Sequence, residues 1–159
     1  MIKFEIVDTG GVHIHHDYVP RYIVEDFSFA HKRKNYFHDF SFTVNTLELD
    51  IDNNMFLCGA GGYAPHLGWK KIHAVPPPFD KGGVRALIDF DYVPGGAYRI
   101  NNQVWPEYVN VKSGWVCIGD YQISTTAIEF ANGCVAVLNK GSIKALWLKP
   151  ISLPGDLKG

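Results

Sequence analysis

The chain has 159 residues, a formal net charge of −1, 47% apolar residues and only 19% charged ones. A domain of this length buries roughly 70% of the surface of its unfolded chain, enough for a core without staples, and such a composition excludes intrinsic disorder. With 15 Lys+Arg against 16 Asp+Glu there is no basic excess for nucleic acid, and no apolar run approaches a membrane-spanning helix.

Residues 1–7 alternate apolar and charged side chains and read as a first strand rather than a signal sequence. Gly11-Val12-His13-Ile14-His15-His16-Asp17 follows. If residues 12–16 are a strand, His13 and His15 leave the same face about 7 Å apart and can share a divalent transition metal. His31, His38, Asp39, His66, His73, Asp89 and Asp91 are the candidates for a third ligand, and no spacing selects one. The competing reading, which we favour, is a surface strand with hydrogen-bonded histidines. Further on, Val19, Tyr22, Ile23, Phe27 and Ala30 share a helical face with Pro20 in its first turn, whereas Phe27-Ser28-Phe29 alternates like a strand. Lys32-Arg33-Lys34, beside His31, reads as a solvated loop.

Period two dominates from residue 40. Phe40–Val44 and Leu47–Ile51 are strand segments, and the phase switch across Asn45-Thr46 predicts a bulge or bend between them. Asp52-Asn53-Asn54 reads as a turn and residues 55–58 as a buried returning strand. Residues 59–69 then form a long Gly-rich loop with Tyr63, His66 and Trp69, our candidate ligand-binding residues, because long loops in compact domains often carry function. This loop has neither the third glycine of a dinucleotide fingerprint nor the Gly-Lys-Ser/Thr of a P-loop. A Cys58–His66 catalytic pair across it has little support, since the thiol lies in an apolar run.

Residues 69–75 suggest a short strand ending at Pro76-Pro77-Pro78, which must run extended. Asp80-Lys81-Gly82-Gly83 is read as a turn. Asp89 and Asp91 share a face if the preceding strand continues, although an Asp-x-Asp at a strand end usually faces water. Val93-Pro94-Gly95-Gly96 has Pro and Gly in the central positions of a type II turn. Short strands follow near 98–100, 109–111 and 115–118. Thr126-Ala127-Ile128-Glu129 resembles a capping box, and we expect a short helix there stopped by Asn132-Gly133; a strand over 123–130 with a hairpin turn is the alternative. Residues 134–138 and 143–148 form a hairpin about Asn139-Lys140-Gly141-Ser142. Cys58, Cys117 and Cys134 are odd in number and widely spaced, so we read them as reduced packing thiols in a cytoplasmic protein.

These elements sum to a mainly β chain, all-β or α+β: a single-domain antiparallel β-sandwich or partly open barrel over 1–150 with one or two short helices, and a tail over 151–159. Lacking a nucleophile motif and a cofactor fingerprint, it reads as a non-enzymatic binding or interaction module. It would act through a self-association surface, as a homo-oligomer, or through a site for a small molecule or protein near 59–69. The alternative is a small metal-dependent enzyme with His13 and His15 as ligands.

Overall fold

A computed structural model describes residues 2–15, 18–30 and 40–158, and their strands stack as a β-sandwich. In chain order the strands begin with β1 (Ile2–Val7), β2 (Tyr22–Ile23), β3 (Ser28–Phe29), β4 (Phe40–Val44), β5 (Leu47–Ile51) and β6 (Leu57–Tyr63). They continue with β7 (Lys70–Lys71), β8 (Asp80–Lys81), β9 (Gly83–Ile88), β10 (Ala97–Arg99) and β11 (Glu107–Asn110). The last four are β12 (Trp115–Gly119), β13 (Thr126–Ala131), β14 (Cys134–Asn139) and β15 (Ser142–Leu148). One sheet of six strands runs β10-β4-β5-β6-β3-β2, one of seven runs β7-β11-β12-β15-β14-β13-β8, and β1 pairs with β9 beside them. Pairing is mainly antiparallel; β10–β4, β11–β7 and β13–β8 are parallel. None of these sheets closes into a barrel, and their arrangement is consistent with a sandwich. Helix among the described residues is confined to 3₁₀ turns at Val24–Asp26, His66–Gly68 and Gly155–Lys158, and none is long and apolar enough to cross a membrane.

The main core fills the space between the sheets. Phe40, Phe42, Leu47 and Leu49 from the six-stranded sheet meet Val116, Ile118, Leu146 and Leu148 from the other, in a cluster that reaches from Phe4 to Leu157. The seven-stranded sheet is buried on both faces. Cys134, Ala136 and Leu138 face this core, while Val135 and Val137 join Cys117, Ala145 and Trp147 in a second cluster. Double burial is why residues 134–138 form an unbroken apolar run instead of alternating. The proline-bearing segment 72–79 leads from β7 at one edge of this sheet to β8 at the other. Ile72 and Ala74 pack on the second cluster, and Asn110 Nδ2 donates to Ala74 O at 2.8 Å to hold the segment there.

The turns at 93–96 and 139–142 form as expected. Gly96 N donates to Val93 O at 2.8 Å with Gly95 at φ +79°, and Lys140 and Gly141 take φ of +53° and +80° between β14 and β15. Other local expectations are corrected. Asn45-Thr46 is a hairpin turn, not a bulge: Val44 pairs with Leu47, so reversal of the chain satisfies both apolar phases. Residues 59–63 belong to β6, between β5 and β3, rather than to a loop. Glycine is used there because the Tyr18 ring lies on Gly59, where a Cβ would stand 2.7 Å from Tyr18 Cδ1. Asp80-Lys81 is strand β8, not part of a turn. Thr126–Ala131 is a strand joined to β14 by Asn132-Gly133, because pairing buries almost the whole segment, which outweighs a local cap. Residues 22–29 are two short strands about a 3₁₀ turn, with no longer helix. The run Lys32-Arg33-Lys34, with His31, His38 and Asp39, lies outside the described residues.

Candidate functional site

Residues 12–15 do not form the strand that would have aligned the histidines. Gly10 and Gly11 take positive φ, and His15 makes an isolated parallel bridge to Ala131. His13 and His15 consequently part. His13 Nε2–H donates to Glu129 Oε1 at 2.8 Å in a buried pair, and Glu129 Oε2 accepts Gly133 N at 3.3 Å. His15 Nε2–H donates to Asp52 Oδ2 at 2.6 Å. Burial opposes ionisation of Asp52, but the hydrogen bonds from His15 and from the Phe56 and Asn54 backbone N–H groups outweigh it and hold the carboxyl below its ordinary value. Glu129 sits on β13 of the seven-stranded sheet and Asp52 in the turn after β5 of the six-stranded one, so the two pairs fasten residues 13–15 to both layers. Among the described residues, no three His, Cys, Asp or Glu side chains group to hold a metal ion.

The three candidates at 63–69 separate as well. His66 and Trp69 are buried among Tyr22, Phe27 and Phe29, with Tyr22 and Trp69 ring centroids 5.0 Å apart. The Tyr22 hydroxyl donates to Ala64 O at 2.7 Å, and burial, partly offset by the hydrogen bond from His66 N–H, pushes it up to about 12. His66 Nε2 lies 3.3 Å from Asp156 Oδ2. Tyr63, by contrast, is 50% exposed and lines a cavity.

That cavity is a cleft of about 600 Å³, within the size range of small-molecule sites. Tyr63 lines it together with Lys70 and Glu107, which lie on the paired strands β7 and β11, and with the β4–β5 turn, Arg99 and residues 101–106. Its floor is a continuous hydrogen-bonded chain. Trp69 Nε1–H donates to Glu107 Oε1 at 3.0 Å, and Asn45 Nδ2–H donates to Glu107 Oε2 and Trp105 O, each at 2.8 Å. Trp105 N–H donates to Asn45 Oδ1 at 2.9 Å, and Trp105 Nε1–H to Asn101 Oδ1 at 3.0 Å. Asn45 adopts φ +55° to close the hairpin, so one residue makes the turn and clamps the opposite wall. Buried Trp105 anchors residues 101–106 as a ridge, with Val104 89% exposed at its crest. A second cleft, of about 790 Å³, lies across this ridge.

Asn45, Arg99, Asn101 and Glu107 were not among the sequence candidates. The legible signals were the amide run Asn101-Asn102-Gln103 beside Trp105-Pro106 and the Asn at a two-residue reversal; nothing local ties them to Glu107. Asp89 and Asp91 are exposed beyond the end of β9. Cys58 donates its thiol to Asp50 O at 3.2 Å and is buried, while burial first, and nearby acidic groups second, push the Cys117 and Cys134 thiols up. No protein-family model matches the chain, and no curated protein or solved structure matches it either.

Proposed function

We propose that this chain is a non-enzymatic binding module whose ligand occupies the cleft between Tyr63 and the 101–106 ridge. One observation carries the reading: the cleft floor is hydrogen-bonded into a single network without a ligand, while charged and apolar side chains on the rim stay exposed. A preformed polar floor lowers the ordering cost of binding. Lys70 and Arg99 supply two positive charges, and Glu107, the acid in the lining, already accepts two neutral donors. The ligand that fits is small and anionic, with a planar or apolar part against Tyr63 and Val104. Free, buried cysteines support a reducing, cytoplasmic setting.

Benzoate and phenyl phosphate are suitable probes, titrated by calorimetry at low and high salt. Saturable binding that weakens with salt, and is lost in Arg99→Ala/Lys70→Ala, is expected. Absence of binding, or binding indifferent to both substitutions, overturns the reading. A self-associating surface is the second reading, favoured by the exposed Leu67, Tyr63 and Val104. Sedimentation velocity tests it, a concentration-independent monomer being the refuting result.

A further inference from the structure

The second cleft differs from the first in chemistry. Asp120 and Lys144 are the charged side chains in its lining, so its charges balance, whereas the first carries a cationic excess. Amide-bearing residues line it from three separate places: Asn101 and Gln103 on the ridge, Gln122 in the loop after β12, and Asn139 at the β14–β15 turn. Each amide offers donors and an acceptor. Tyr121 forms one wall, its ring set edge-on to Tyr108 with centroids 4.7 Å apart.

The walls are fixed rather than loose. Asp120 Oδ1 accepts Gln122 N–H at 3.0 Å, and Asp120 N–H donates to Lys144 O at 3.1 Å, so the loop is tied to itself and to β15. Gly119, at φ +118°, makes this corner possible: a Cβ would stand 2.5 Å from Lys144 O and 3.0 Å from Trp105 Cε3. Only glycine lets the end of β12 close against both β15 and the ridge.

We infer that this second cleft binds a neutral saccharide. Hydroxyls around a pyranose ring need donors and acceptors on several sides, which amides from three elements provide, and the apolar face of such a ring packs on a fixed aromatic such as Tyr121. A phosphate-bearing ligand would need uncompensated cations here, and the charges balance. A peptide added as a strand would need a free sheet edge; β11, β12 and β15 are interior strands of their sheet, and on the β1 edge beside the cleft Phe4 N–H is already engaged by Gly141 O at 2.8 Å. The inference rests on the second cleft alone and shares only the ridge with the site proposed above.

Saturation-transfer difference NMR with maltose, cellobiose, lactose and diacetylchitobiose tests it, each at about 10 mM, where even a site with Kd of ~1 mM is largely filled. Transfer to the ring protons of at least one sugar is expected, weakened about tenfold or more in Tyr121→Ala and in Gln122→Ala. Gln122 is exposed, so its variant keeps the test valid if Tyr121→Ala fails to fold. Arg99→Ala/Lys70→Ala should leave sugar binding unchanged, which separates this site from the first cleft. No transfer from any of the four sugars, or transfer untouched by both cleft variants, overturns the inference.

Discussion

Removing the Glu107 carboxylate should destabilise the whole fold as well as the cleft. Its two oxygens accept from Trp69 Nε1 at 3.0 Å and Asn45 Nδ2 at 2.8 Å, joining β11 to the segment before β7 and to the β4–β5 turn. A hydrogen bond to a charged partner contributes about 1.5–3 kcal/mol, and half-burial of Glu107 reduces the sum of two such bonds to an expected loss of about 2–4 kcal/mol in Glu107→Ala. Near this chain length each kcal/mol shifts Tm by about 2–4 °C, so Tm should fall by about 4–16 °C. Glu107→Gln is the sharper variant. Both native partners are donors, and an amide has one oxygen, so Gln satisfies one partner and turns its NH₂ toward the other. It should recover no more than about half of the loss. Urea unfolding followed by tryptophan fluorescence measures both variants on the same slope. If Glu107→Gln matches the wild type, the two-donor arrangement is not what holds the floor and the reasoning fails.

Other substitutions test other parts of the fold. In His15→Ala, the Asp52 carboxyl loses a side-chain donor and should titrate closer to its ordinary 3.8. Because the folded value lies below the unfolded one, Asp52 contributes stability above pH ~3.8 that is lost as pH falls through the folded pKa, so the variant should lose that acid resistance at a higher pH. Carboxyl ¹³C titration that leaves Asp52 unmoved would contradict this. Gly59→Ala places a Cβ against the buried Tyr18 ring and should cost about 1–3 kcal/mol. The penalty should largely vanish in a Tyr18→Ala background, and additivity of the two changes would show that the contact is not the cause. Trp147 is fully buried and its indole N–H has no hydrogen-bond partner among the described residues. In Trp147→Phe, relief of that desolvation offsets the smaller ring, and chemical denaturation should show a change within about 1 kcal/mol. A loss above about 3 kcal/mol would mean that the N–H is satisfied in solution.

Local chemistry alone settled several elements. Period-two alternation placed β1, β4 and β5, and Pro94-Gly95 and Lys140-Gly141 marked the turns at 93–96 and 139–142, where Gly95 and Gly141 take positive φ. The Gly-rich run misled for a physical reason. Glycine reads as a loop signal, yet in β6 it clears space for Tyr18, a residue distant in sequence. Likewise Thr126–Glu129 carries a cap-like local pattern whose fate depended on β14 and β8 being available to pair with it.

For the candidate site, the sequence brought attention to Tyr63 but not to the wall that faces it. Asn45, Trp69, Trp105 and Glu107 are far apart along the chain and meet only when the hairpin and the ridge pack together. The histidines show the same limit. The i, i+2 spacing of His13 and His15 places both on one face only if the segment is a strand; without strand pairing the two imidazoles reach carboxylates on different sheets. By itself, then, the sequence determined a lightly charged, mainly β chain with a hairpin over residues 134–148, because apolar period and turn chemistry are local properties. Which faces meet, which glycines lie under rings and where the clefts open were decided only in the tertiary structure, because they depend on contacts between residues that no local pattern relates.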